Sequence, residues 1–228
     1  MIPSNDATPD PHRSDRLRMV QEQIEKRGVT DPLVLEAMRR VPRHLFVPPY
    51  LRDRAYDDVP LPIGSGQTIS QPFIVAYMSE AARVRPGDRV LEIGAGSGYQ
   101  AAVLATVGAR VFSIEILPEV ATATRDALLS AGIGGVELRT GDGWHGWPEE
   151  APFDAILVTA APEETPEPLT AQLVIGGRLI LPVGAGSQDL LRVTRTATGI
   201  ARESLLPVRF VPMTGEARAR SRGTDGTH

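Results

Sequence analysis

The chain contains no cysteine. Disulfides, thiolate nucleophiles and cysteine-held zinc are excluded together, and a reducing compartment fits. A single lysine, Lys26, leaves Schiff-base catalysis and a Walker-type phosphate loop almost nothing to work with. The four histidines, His12, His44, His145 and His228, are scattered without metal-ligand spacing, so no metal is expected. No apolar run approaches the ~20 residues of a membrane span. The start, MIPSNDATPDPHR, lacks the apolar stretch of a secretory signal, so a cytoplasmic protein with no membrane association is expected. Basic residues are outnumbered, 24 against 28 acidic, for a net charge of −4. That balance argues against a general nucleic-acid binder, which needs a clustered basic surface. What remains is 228 residues, 42% of them hydrophobic, enough for one sizeable core. The chemistry must come from carboxylates, hydroxyls, backbone amides and a bound cofactor.

Residues 1–12 and 217–228 read as disordered polar tails around a single domain, 13–216. Within it, 13–71 reads as a helical extension with a substrate-side loop, and 72–216 as an α/β core. Leu17, Val20 and Ile24 recur at helical spacing, with Gly28 as terminator. Asp31-Pro32 opens a second helix through Leu35, Met38 and Val41. Residues 51–71 read as irregular, and a helix follows from Pro72. Short β runs at 89–93, 110–114, 136–139, 154–158 and 178–183 then alternate with helical patterns at 99–107, 118–131 and 166–174. This alternation predicts a doubly wound, mostly parallel sheet. The runs 190–194 and 205–211 have no helix between them and predict an antiparallel C-terminal edge.

The most informative stretch is Val90-Leu-Glu-Ile-Gly94-Ala-Gly96-Ser-Gly98-Tyr-Gln100, placed between a predicted strand and a predicted helix. Glycine there lets backbone amides approach a ligand, although a lone glycine loop is also compatible with a structural turn. The dinucleotide fingerprint wants a small residue where Tyr99 stands. The spacing is GxGxG, with Glu92 two residues ahead of it, and resembles motif I of the S-adenosylmethionine-dependent methyltransferases. Glu115 closes the second strand, where a carboxylate can accept from both ribose hydroxyls. Asp142, in Gly141-Asp-Gly143, follows the third strand, where the family places a group beside the adenine amine. Each acid alone also reads as a solvated strand end. In order, at successive strand ends, they fall where open α/β sheets bind ligands.

Beyond the glycine loop, several segments resemble the protein-L-isoaspartate O-methyltransferase family. They are Leu61-Pro-Ile-Gly-Ser-Gly-Gln-Thr-Ile-Ser-Gln-Pro72, Gly141-Asp-Gly-Trp-His-Gly-Trp147 and Pro152-Phe-Asp-Ala-Ile-Leu-Val-Thr-Ala-Ala-Pro162. Gly176-Gly-Arg-Leu-Ile-Leu-Pro-Val-Gly184 and Val208-Arg-Phe-Val-Pro-Met213 belong to the same set. The resemblance runs from about residue 17 to 215. It implies methyl transfer from S-adenosyl-L-methionine to the free carboxylate of isoaspartyl residues in damaged proteins, leaving S-adenosyl-L-homocysteine. The ester then closes to a succinimide that reopens partly to aspartate. By the same resemblance Ser70 is the catalytic residue. The implied cofactor site comprises Gln67, Thr68, Ile69, Ser70, Glu92, Gly94, Gly96, Ser97, Gly98, Glu115, Ile116, Asp142, Gly143 and Thr214. The expected partners are isoaspartyl proteins and peptides, and the expected state is a monomer.

Ser70 has a second reading as the N-cap of the helix that begins at Pro72. Trp144 and Trp147 read either as a stacking platform or as apolar covers, and Val47-Pro48-Pro49-Tyr50 as a helix stop. The arginines Arg218, Arg220 and Arg222 read as a solvated end. The inventory permits carboxyl methylation, because a carboxylate nucleophile needs no general base and catalysis is mainly positioning. It excludes cytosine C5 methylation, which needs a thiolate. Two alternatives stay open: a methyltransferase of this fold acting on another carboxylate or small molecule, and a cofactor-binding module without turnover.

Overall fold

The computed structural model describes residues 10–224, with side chains to residue 220. Expectations for residues 1–9 and 225–228 lie outside it. The tail reading fails at both inner boundaries. Arg16 is nearly buried and needs a counter-charge, which draws in Asp10 at 2.6 Å. His12 in turn lies over His44, ring centroids 4.2 Å apart. At the other end Glu216–Thr224 forms a helix rather than a tail, its first turn buried at Ala217.

The first helix, α1 (Arg13–Met19), passes into a π turn at Val20–Ile24 and a 3-10 turn at Glu25–Arg27. It stops at Gly28, whose φ of 98° only glycine adopts readily. Helix α2 (Pro32–Arg40) starts as expected: the Leu33 amide donates to the Asp31 carboxylate at 2.9 Å. The stretch expected to be irregular holds a small hairpin, β1 (Leu61–Gly64) and β2 (Gln67–Ile69). Gly64, Ser65 and Gly66 all turn at positive φ, and three- and four-residue strands are too short to show alternation. Helix α3 (Pro72–Ala81) follows.

The core then runs β3 (Arg89–Ile93), α4 (Tyr99–Val107), β4 (Arg110–Glu115), α5 (Pro118–Ser130), β5 (Val136–Thr140), β6 (Phe153–Val158), α6 (Glu167–Ala171) and β7 (Leu173–Val183). It closes with β8 (Gln188–Thr196), β9 (Gly199–Val208) and α7 (Glu216–Thr224). The sheet order is β5-β4-β3-β6-β7-β8-β9. The first five strands are parallel and the last two antiparallel. Helix α6 is shorter than expected and β7 begins earlier, because Gly176 and Gly177 interrupt the apolar pattern where the β6–β7 register shifts. β9 also begins earlier than expected. Its first six residues are exposed, so no burial period marks them.

Successive strand residues point to opposite faces. Val90, Val111 and Ala155 join one core with Met38, Val75, Tyr99 and Leu104. Leu91, Phe112 and Ile156 join the other with Leu169, Trp144 and Met213. Burial on both faces explains the continuous apolar strands. The N-terminal extension therefore completes one face of the core. Strand order reverses between β3 and β6, and the crevice at that switch point is where such sheets bind ligands.

Candidate active site

The glycine loop leaves β3 at the switch point and is fastened on every side. Gly94 has φ 90°, and its carbonyl accepts from the Thr159 hydroxyl at 2.6 Å. A Cβ at residue 94 would lie only 2.6 Å from that hydroxyl oxygen, so glycine is required. The Gly96 amide donates to Glu115 Oε2 at 2.9 Å, and its carbonyl accepts from the Thr124 hydroxyl at 2.7 Å. Gly98 is the N-cap of α4 at φ 84°; a Cβ there would stand 2.9 Å from Thr124 Cγ2. Thr159 and Thr124 escape the sequence reading. Their position beside the carboxyl end of β6 and on the helix after β4 is the only signal they carry.

Three acids ring the loop. Glu115 is almost buried, and each oxygen takes one backbone amide, from Gly96 and from Leu117 at 3.1 Å. Every carboxylate oxygen can accept more than one bond, so capacity remains for a ligand. Glu92 has no solvent exposure. Its Oε2 accepts from the Ser113 hydroxyl, whereas Oε1 is buried with no partner. Burial pushes its carboxyl up to about 8, opposed by the Ser113 hydroxyl, reinforced by the Glu115 charge and opposed more weakly by the nearby Ala101 amide. Asp142 caps a short turn by accepting from the Trp144 amide at 2.9 Å. Its other oxygen accepts from the Glu216 amide at 2.7 Å, so it also anchors the start of α7.

These groups open on one cavity of about 520 Å³. The hairpin closes one side with Gln67, Thr68, Ile69 and Ser70. Glu92, Gly94, Gly96, Ser97, Glu115, Ile116, Asp142, Gly143 and Thr214 also line it. Gly98 does not; it shapes the loop from behind. The N-cap reading of Ser70 is corrected. The helix does start at Pro72, but its cap position is Gln71 rather than Ser70. No cap bond forms, and Gln71 instead reaches Asp58 at 2.7 Å. The half-buried Ser70 hydroxyl thus faces the cavity wall without an internal partner among the described residues. Trp144 is buried in the second core, and Trp147 meets Phe112 edge-on at 5.7 Å, so both serve as packing.

The opposite wall, Leu206 to Thr214, is the end of β9 and the segment that follows it. Ala161 and the Val211–Met213 segment exchange two backbone bonds of 2.8 Å, which fix this wall to the end of β6. A model of the protein-L-isoaspartate(D-aspartate) O-methyltransferase family matches residues 14–218. The chain belongs to this family.

The relatives support that membership along the whole fold. A protein-L-isoaspartate O-methyltransferase of Gloeobacter violaceus is 58% identical over 200 residues, covering 87% of this chain and 98% of that one. One from Methanoculleus marisnigri is 53% identical over 208 residues, covering 91% and 94%. Among solved structures, a protein-L-isoaspartate O-methyltransferase superposes with a TM-score of 0.83 at 30% identity, covering 92% of this chain and 69% of that one. A Plasmodium falciparum structure described as the same type of enzyme, in complex with S-adenosyl-L-homocysteine, gives 0.77 at 25% identity, covering 90% and 99%.

Proposed function

We propose that the cavity joins a cofactor end, built by Glu92, Gly94, Gly96, Glu115 and Asp142, to a reaction end at Ser70. The chain is a methyltransferase that esterifies the free carboxylate of L-isoaspartyl residues in damaged proteins. The observation that carries the two-ended reading is the single cavity lined by both the hairpin hydroxyl and the three strand-end acids. The residues present fit the cofactor. An orphan buried acceptor on Glu92 suits the ammonium of its methionine part, and Glu115 retains acceptor capacity for ribose hydroxyls. S-adenosylmethionine, when bound, supplies an electrophilic sulfonium methyl.

The chain's own work is to orient and to exclude water. Its hairpin residues Gln67, Thr68 and Ile69 cover one side of the cavity, and Ile116, Gly143 and Thr214 another. The Ser70 hydroxyl donates to the substrate carboxylate and leaves its second oxygen free to attack. No base is required, because the nucleophile is already ionised at neutral pH. Catalysis by orientation suits a site without a cysteine or a lysine among its lining residues. The methyl ester then closes to a succinimide outside the enzyme's chemistry. A monomer acting in the cytoplasm completes the reading. Methyl label transferred to protein should leave as methanol in mild base, as an ester does. Label that survives base treatment would place the methyl on an amine and contradict the reading.

A further inference from the structure

The reaction end of the cavity carries charge that the cofactor residues do not explain. Arg27, delivered by the N-terminal extension, lines it together with Ser70 and Gln71. Two contacts fix the guanidinium. Nη1 donates to Asp58 Oδ2 at 2.6 Å, and Cζ lies 3.5 Å from the ring centroid of Phe73 on α3. The same Asp58 oxygen accepts from the Gln71 amide at 2.7 Å, so one carboxylate ties Arg27 to the neighbour of Ser70. Of the five guanidinium donors, only one is spent on Asp58.

Asp58 does not neutralise this corner. The wholly buried Arg43 also acts on it electrostatically, and the terminal nitrogens of Arg43 have no partner. Asp58 thus acts on two cations, Arg27, which lines the cavity, and Arg43, which does not. Arg209, on the Leu206–Thr214 wall, also lines the cavity and has no ion pair among the described residues. The far end of the cavity is lined instead by Glu92, Glu115 and Asp142. The cavity therefore carries Glu115 and Asp142 where a sulfonium cofactor belongs, with Glu92 kept protonated by burial, and Arg27 on the Ser70 side through its Asp58 tie to Gln71.

We propose that Arg27 is a substrate-binding residue whose free N–H groups receive the carboxylate of the isoaspartyl substrate beside Ser70, with Asp58 and Phe73 holding the guanidinium in place. The inference rests on the methyl-transfer reading above and names how its substrate end recognises an anion. It also gives the extension a task beyond covering the core. A fork held from two sides loses little freedom on binding a planar carboxylate, which favours arginine over lysine there.

The test is steady-state kinetics on an isoaspartyl peptide with calorimetric titration of S-adenosylmethionine, for wild type, Arg27→Gln and Arg27→Lys. Arg27→Gln should raise the peptide KM about tenfold or more, the loss of one charge-assisted bond. Its kcat should change by less than about threefold and its cofactor affinity by less than about twofold, as expected for lost ground-state substrate binding. Arg27→Lys should recover part of the KM, because it retains the charge without the fork. The Arg27 side chain is 44% exposed, so both variants keep the core intact, which a thermal melt verifies. An unchanged peptide KM in Arg27→Gln overturns the proposal, and so does weakened cofactor affinity with an unchanged peptide KM. Wild type that fails to methylate the peptide would instead defeat the underlying reading, which keeps the two failures distinct.

Discussion

Glu92 is a carboxyl with one oxygen bonded to Ser113 and the other bare, sealed from water. Its ordinary value of 4.5 is raised to about 8 in the folded protein, chiefly by burial. Between those values the folded chain holds a proton that the unfolded chain releases, so rising pH favours unfolding. Wild-type stability without cofactor should therefore fall relative to Glu92→Gln by up to about 1.4 kcal/mol per pH unit, levelling off above about 8. Denaturant melts of both proteins across that range provide the check; parallel profiles would contradict the buried proton. Ser70 makes the opposite case, a polar group with no structural partner. Ser70→Ala and Ser70→Gly should each cost less than about 0.5 kcal/mol of stability, since neither removes a cap. Both should lower kcat about tenfold or more, the loss of a bond to a charged oxygen. An unchanged kcat in folded Ser70→Gly would remove the hydroxyl from the reaction. Glu92 was legible from its place two residues ahead of the glycine loop, and Ser70 through the resemblance of the Gln67–Ser70 segment to the family. Thr159, Thr124 and Arg27 were not, because each reaches the site through a contact between distant segments that no local spacing records.

At the scale of elements, the glycine loop works because two threonines tie off its carbonyls while Glu115 takes one of its amides. Gly94→Ala places a methyl against Thr159 at a positive φ, and should destabilise the fold by about 1–3 kcal/mol. Cofactor affinity should fall as well. Adding Thr159→Ala relieves the contact but not the φ, so recovery should be partial. Thermal melts and calorimetric titration of the single and double variants would measure both effects, and a Gly94→Ala variant of wild-type stability would contradict the strained-loop account. The elements that sequence periodicity located best are those packed on both sides. β3 (Arg89–Ile93) and α4 (Tyr99–Val107) match their expected bounds. The hairpin, the start of β7 and the start of β9 were missed where short strands, paired glycines or solvent exposure erase the pattern.

Across the whole molecule, the cavity lies between an α/β sheet and an N-terminal extension whose Met38 and Phe46 pack on Tyr99 of α4. In sequence the extension reads as helical with a substrate-side loop, without naming which of its side chains reach the site. In the structure it carries Arg27 and Asp58 to the reaction end, an arrangement that depends on tertiary packing and leaves no periodic trace. The central claim is that this cavity methylates one carboxylate geometry and not its normal isomer. The direct measurement is methyl transfer from labelled S-adenosylmethionine to two peptides of identical composition, one carrying an isoaspartyl and one an aspartyl residue. The account predicts label on the isoaspartyl peptide, and none above background on its aspartyl counterpart. Equal labelling of the two, or label on neither, would contradict it.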